Sequence, residues 1–155
     1  MEDKALLSTE EASGAEKAEL LIVIPAYNEA ENIERVVNHL TANFPQYDYV
    51  VVNDGSRDET AAICQRNGYN LLNLPVNLGL AGAFQAGLKY ADKYGYQYAV
   101  QLDGDGQHRP EYLESMIKKM EEGYDIVIGS RFVGEKKPFT MRMLGSNLIE
   151  MAIRF

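Results

Sequence analysis

Leu20-Leu21-Ile22-Val23-Ile24 is apolar at every position and is closed by Pro25. A strand with one wet face alternates apolar and polar residues, so an uninterrupted apolar run implies a strand covered on both faces, as in the middle of a parallel sheet. Further short runs follow at Tyr49-Val50-Val51-Val52, at 70–74, at Tyr98-Ala99-Val100 and at Asp125-Ile126-Val127-Ile128. The segments between them carry the helical period instead. In 29–42, Ile33, Val36, Val37 and Leu40 fall at i, i+3, i+4 and i+7, with His39 on the polar side. Ser56 and Glu59 have capping-box spacing ahead of a helix over 59–67 that Gly68 would stop. The 81–94 segment is rich in Ala and Gly and ends at Gly95; Gly82, Ala83, Ala86 and Gly87 would let another backbone approach it closely. Pro110 suits the first position of a helix whose Leu113, Met116, Ile117 and Met120 form one stripe and which Gly123 ends. Strand and helix alternating through short connections predict an α/β fold: a mostly parallel, Rossmann-like sheet with helices on both faces.

A chain of 155 residues fits one such domain. Residues 1–19, rich in Glu, Ala, Ser and Lys without a sustained period, read as a flexible tail, and 20–155 as the domain. The net charge of -8 argues against a basic, sequence-independent grip on nucleic acid, and an anionic ligand would need a metal or a placed arginine. The single cysteine, Cys64, lies in a helical pattern and reads as a small core residue of a reducing compartment. Neither a secretory leader nor an apolar run long enough for a membrane span is visible, so the expected location is cytoplasmic or peripheral at a membrane surface.

In parallel sheets ligands gather outside the carboxyl ends of the strands. Those ends carry Tyr27, Asn28 and Glu29, then Asp54, then Gln101-Leu102-Asp103-Gly104-Asp105-Gly106-Gln107-His108, and finally Arg131. The acidic stretch reads as a strand breaking into a sharp turn. In near-extended backbone Asp103 and Asp105 would point to one side and Gln107 would continue it, giving three oxygen ligands suited to Mg²⁺ or Mn²⁺. A solvated Asp-Gly turn stands against that reading. A calcium loop of the EF-hand kind does not fit, because a strand precedes the stretch and Pro110 interrupts it.

Pro25-Ala26-Tyr27-Asn28-Glu29, Asn53-Asp54-Gly55-Ser56-x-Asp58-x-Thr60, Asn77-x-Gly79, Asp103-Gly104-Asp105-Gly106-Gln107-His108 and Gly129-Ser130-Arg131 together resemble the family 2 glycosyltransferases of GT-A fold. The likeness is greatest to the dolichol-phosphate mannose synthase and polyprenyl-phosphate glycosyltransferase group, and it spans 20–155. It implies a metal-dependent, inverting transfer of a hexose from a UDP- or GDP-sugar to a polyprenyl or dolichyl phosphate or a growing cell-surface glycan. It also implies roles: Pro25, Tyr27 and Glu29 lining the nucleoside pocket with Val52 and Asp54 at its base; Asp103, Gly104, Asp105 and Gln107 forming the Asp-x-Asp site for Mg²⁺ or Mn²⁺; and Arg131 reaching the diphosphate or the sugar. His108 reads as a neighbour of the site. A hydroxyl acceptor would need a general base, for which only Glu135 and Glu150 stand after Arg131, whereas an already ionised lipid phosphate would need none. The 139–155 segment, with Met141, Leu144, Leu148, Met151 and Phe155 beside Arg142 and Arg154, reads as a helix that packs on downstream chain, lies on a membrane or joins two copies. The alternative to an enzyme is a donor-binding domain or fragment without turnover by itself.

Overall fold

The computed structural model describes residues 19–106 and 109–129. Four strands, β1 (Leu20–Ala26), β2 (Asp48–Asp54), β3 (Leu71–Leu74) and β4 (Tyr98–Gln101), alternate with three helices, α1 (Ile33–Asn43), α2 (Thr60–Arg66) and α3 (Gly79–Lys93). All pairings are parallel and the order is β3-β2-β1-β4. These elements form one compact unit that runs to Leu113, and a second begins at Glu114.

The central strand is the one that the apolar run pointed to. Every residue of β1 is buried. Strand alternation sends Leu21 and Val23 to one face, where they join Val50, Val52, Ala83 and Ala91 beneath α3, and sends the equally buried Ile22, Ile24 and Val51 to the other. Each such side chain contributes about 1.5–3 kcal/mol by leaving water, so the β1/β2 pair dominates the stability of the unit. On α3 the spacing i, i+4, i+8 brings Ala83, Gly87 and Ala91 against the sheet. A side chain at Gly87 would run into the two methyl groups of Val23, which makes the close approach expected of this helix one of backbone to side chain. Gly82 meets its own helix, at Leu78, and takes no part. Cys64 is a core residue as expected, and its burial pushes the thiol above its ordinary pKa, which keeps it protonated.

Three local expectations are corrected. Helix α1 begins at Ile33 rather than at 29, because Glu29 to Asn32 form a turn in which the Glu29 carbonyl accepts from both Asn32 N (3.0 Å) and Ile33 N (2.9 Å). The capping box of Ser56 and Glu59 does not form; Asp58 receives the backbone N–H and the hydroxyl of Thr60, and the Ser56 hydroxyl is used elsewhere. The 125–128 run forms no strand. It is irregular, with Ile126 and Ile128 largely exposed, since an apolar run becomes a strand only where a neighbour offers an edge to pair with.

Helix α4 (Leu113–Glu121) does follow its predicted stripe, with Met116, Ile117 and Met120 less exposed than Glu114, Lys118 and Lys119. Its ion pair Glu114–Lys118 (2.9 Å) is solvent-exposed and contributes little. Residues 1–18, and with them the expected tail, lie outside the described residues, as do Gln107, His108, Arg131 and the 139–155 segment.

Candidate functional site

The chain steps outward from β1 to β2 to β3, and α3 then carries it back over the sheet to place β4 on the free side of β1. The order therefore reverses between β1 and β4, and in open α/β sheets that switch point opens a crevice at the carboxyl ends. The loop after β1 and the acidic turn after β4 meet there. A Cβ on Gly104 would lie 3.1 Å from the Pro25 carbonyl oxygen and 3.5 Å from Glu29 Cγ, so a side chain there would push the two segments apart by a few tenths of an ångström. Asp54, at the end of β2, lies on the other flank of β1, roughly 10 Å from the β4 line by two strand spacings.

The loop after β1 is held from the loop after β2 by crossed hydrogen bonds. Asn28, at φ +57°, donates its N–H to Ser56 Oγ (3.0 Å) and accepts the Arg57 N–H on its side-chain oxygen (2.9 Å). Glu29 N donates to Thr60 Oγ1 (2.9 Å) and Ala30 N to Asp58 Oδ2 (3.1 Å). The left-handed region is one that asparagine tolerates better than most residues. This clamp keeps Tyr27, 44% exposed, and the half-buried Glu29 at the rim. Burial would raise the Asp58 carboxyl, but the hydrogen bonds from Thr60 and Ala30 outweigh it and hold the group below its ordinary pKa. A depressed folded value means stability that is present above the ordinary carboxylate range and lost as pH falls through the folded value. The clamp should therefore loosen only in acid below pH about 4, and Asp58→Asn should remove that part of the acid titration of Tm.

Asp54 is 3% exposed and its Oδ1 accepts the Leu78 N–H at 2.7 Å, fixing the entry to α3. Beside it the buried Asn53 donates its side-chain amide to Asn73 on β3. Val52 is wholly buried in the core under α3, where it supports Asp54 from below.

The acidic turn departs from the extended geometry expected for it. Gly106 N donates to the Asp103 carbonyl (3.2 Å), closing a tight turn over 103–106, so strand alternation does not set the directions of Asp103 and Asp105. Positive φ occurs at Gly106 (+77°) alone of the two glycines; Gly104 is needed for close approach. Asp103 is half-buried with Oδ1 receiving Gln101 Nε2 at 2.8 Å, and the Asp105 carbonyl receives Arg35 Nη2 at 3.1 Å. Arg35, which no sequence signal singled out, thus touches the acidic turn.

No group of three His, Cys, Asp or Glu side chains among the described residues is arranged to hold a metal. Mg²⁺ or Mn²⁺ would ask less of the chain, since such cations take one or two carboxylates and leave other positions for water and substrate phosphate. Asp103 and Asp105 supply two hard oxygen donors on one short turn, and the Gln101 amide orients the first. A cleft of about 350 Å³ opens beside the turn, bounded by Ile24, Arg35, His39, Leu102, Asp103 and Arg109 among others. Another hollow, of about 370 Å³, lies by Asp48 at the opposite, amino-terminal edge, where the one carboxylate is already engaged by the Tyr96 hydroxyl (2.9 Å). The reactive groups gather at the carboxyl edge instead.

Residues 21–154 match the family described as Glycosyl transferase family 2. The chain belongs to that family. Among its curated glycosyl transferase relatives are a polyprenol monophosphomannose synthase of Mycolicibacterium smegmatis, 34% identical over 119 residues (73% of this chain, 45% of the relative), and an undecaprenyl-phosphate mannosyltransferase of Micrococcus luteus, 34% identical over 119 residues (74% and 49%). The chain thus spans about half the length of the curated relatives it matches. The structure of S. aureus TarS 1-349 in complex with UDP superposes with a TM-score of 0.54 at 26% identity, covering 79% of this chain and 38% of that one. The GT-A α/β fold implied by the sequence motifs is the fold observed.

Proposed function

We propose that this family 2 domain binds a nucleoside-diphosphate sugar in the crevice between β1 and β4 and transfers its hexose, with inversion, to a polyprenyl or dolichyl phosphate. The observation that carries this reading is the meeting of the clamped β1 loop with the acidic turn, where a side chain added at Gly104 would crowd the Pro25 carbonyl. Likeness to a polyprenol monophosphomannose synthase supports the lipid-phosphate acceptor, and likeness to a UDP-bound structure supports the nucleotide.

Tyr27 and Glu29 at the rim line the nucleoside, with Pro25 and Asp54 behind them and Val52 as support. Asp103 and Asp105, joined by Gln107, hold Mg²⁺ or Mn²⁺, which when bound offsets the negative charge that grows on the departing diphosphate. Arg131 reaches the same phosphates or the sugar, where a guanidinium fork is worth more as charge develops than before it. A lipid phosphate oxygen is ionised near neutral pH, so attack on the anomeric carbon needs no proton taken by a side chain. A lipid-phosphate acceptor would bring the reaction to a membrane surface, for which the cytoplasmic face is proposed; no helix among the described residues is long and apolar enough to cross a membrane. The 139–155 segment is the part proposed to touch lipid or a second copy.

Because the chain spans about half of its relatives, a donor-binding domain without turnover by itself is the second reading. Release of UDP or GDP from the matching sugar nucleotide on adding a short-chain polyprenyl phosphate separates the two. Release that depends on the acceptor supports the transferase; binding of nucleotide without release under every acceptor supports the second reading; no nucleotide binding at all sinks both.

A further inference from the structure

The acidic turn has little regular backbone bonding of its own among the described residues. Its one internal backbone bond, Gly106 N to the Asp103 carbonyl, is long at 3.2 Å, and two of its four residues are glycines, which lose the most freedom when fixed. The Gln101 amide at the end of β4 holds Asp103 Oδ1 (2.8 Å), and α1 adds a second tie, to the other end of the turn. Arg35 Nη2 donates to the Asp105 carbonyl (3.1 Å) and also to Asn32 Oδ1 (3.3 Å), and Asn32 Nδ2 donates to Glu29 Oε2 (2.9 Å). The guanidinium also lies close to Gly106: a Cβ there would sit 3.0 Å from Nη1 and 3.1 Å from Nη2. Glu29, Asn32 and Arg35 therefore form a strut from the rim of the proposed nucleoside pocket to the turn.

We infer that Arg35 is a positioning residue, which holds the 103–106 turn in the shape that lets Asp103 and Asp105 grip a cation together; this rests on the reading of that turn as the cation site. Two effects of the guanidinium oppose each other. Its charge repels a dication, and its fork removes the freedom of a glycine-rich turn. The first is weak and screened at an exposed position, whereas the second is not touched by salt. Orientation wins. Both bonds leave one nitrogen, Nη2, whose place is set by the rigid guanidinium plane; a lysine keeps the charge on a flexible stem without that plane, so it holds the two acceptors less firmly.

The test uses the whole chain with Arg35→Met and Arg35→Lys. Binding of Mn²⁺ alone is followed by the electron paramagnetic resonance of the free ion, at low and at high salt, and amide exchange of Gly106 is followed by NMR without metal. Loss of an outer-shell partner of this kind typically weakens metal binding by about tenfold, and that is the change expected for Arg35→Met at both salt concentrations. Exchange at Gly106 should speed up by about tenfold, with Tm nearly unchanged because Arg35 is exposed. Arg35→Lys should recover only part of either loss. Two results would overturn the inference: Mn²⁺ affinity within twofold of the wild type together with unchanged exchange, or tighter Mn²⁺ binding at low salt that disappears at high salt, the signature of charge alone. If the wild-type chain binds no Mn²⁺, the cation reading fails, and the exchange measurement still decides whether Arg35 holds the turn.

Discussion

Asp105→Ala is expected to lower hexose transfer by at least about a hundredfold, the loss usual when a group that stabilises developing charge is removed. Asp105 is half-buried on a surface turn and contributes no core packing, so the protein should remain folded. The sharper readout is thermal unfolding with nucleotide. A ligand that binds only the folded state at a hundred times its Kd stabilises it by about 2.7 kcal/mol, and in the wild type UDP or GDP should give such a gain only when Mn²⁺ or Mg²⁺ is present. In Asp105→Ala the metal-dependent part should vanish while any metal-independent part persists. A mutant that still responds fully to metal plus nucleotide would remove the acidic turn from the mechanism.

The second large effect is on stability. Gly55, directly after Asp54, has φ +65°, and a Cβ on it would lie 2.7 Å from Asn77 N and 2.8 Å from Val76 C. Both neighbours are backbone and cannot rotate away. Gly55→Ala therefore combines left-handed strain of about 1–2 kcal/mol with an overpacking cost of about 1–3 kcal/mol, and separating the segments would pull Leu78 N from the buried Asp54 carboxylate. A loss near 3 kcal/mol should lower Tm by roughly 10 °C. Gly79→Ala is the control. Its φ is +75° but a Cβ there would meet no atom within 4 Å, so only the strain term applies and the fall should be about half as large. Equal falls in the two variants would show that the contact with 76–77 is not what Gly55 is there for.

Residue type alone made some of this legible. The uninterrupted apolar run of β1 announced a strand covered on both faces, and all seven of its residues are buried. The period of α1 found Ile33, Val37 and Leu40, the residues that are buried. Local chemistry with two competing partners was misread. Ser56 had the spacing for a helix cap, but Asp58 is nearer in sequence to the Thr60 donors, and Ser56 was left to take the Asn28 N–H from another loop. The glycines of the acidic turn looked alike, yet one serves a positive φ and the other a close contact, a distinction that depends on what lies opposite.

Periodicity, apolar runs and glycine or proline stops depend on neighbours within a few residues, and those are written in the chain; from them came the parallel α/β sheet and the edge on which polar groups would collect. Only the tertiary structure decided that the order reverses between β1 and β4, that Gly104 lies close against the β1 loop, and that Arg35 reaches the turn seventy positions away. Contacts of that kind depend on which segments are brought together in space, and no local pattern encodes the partner.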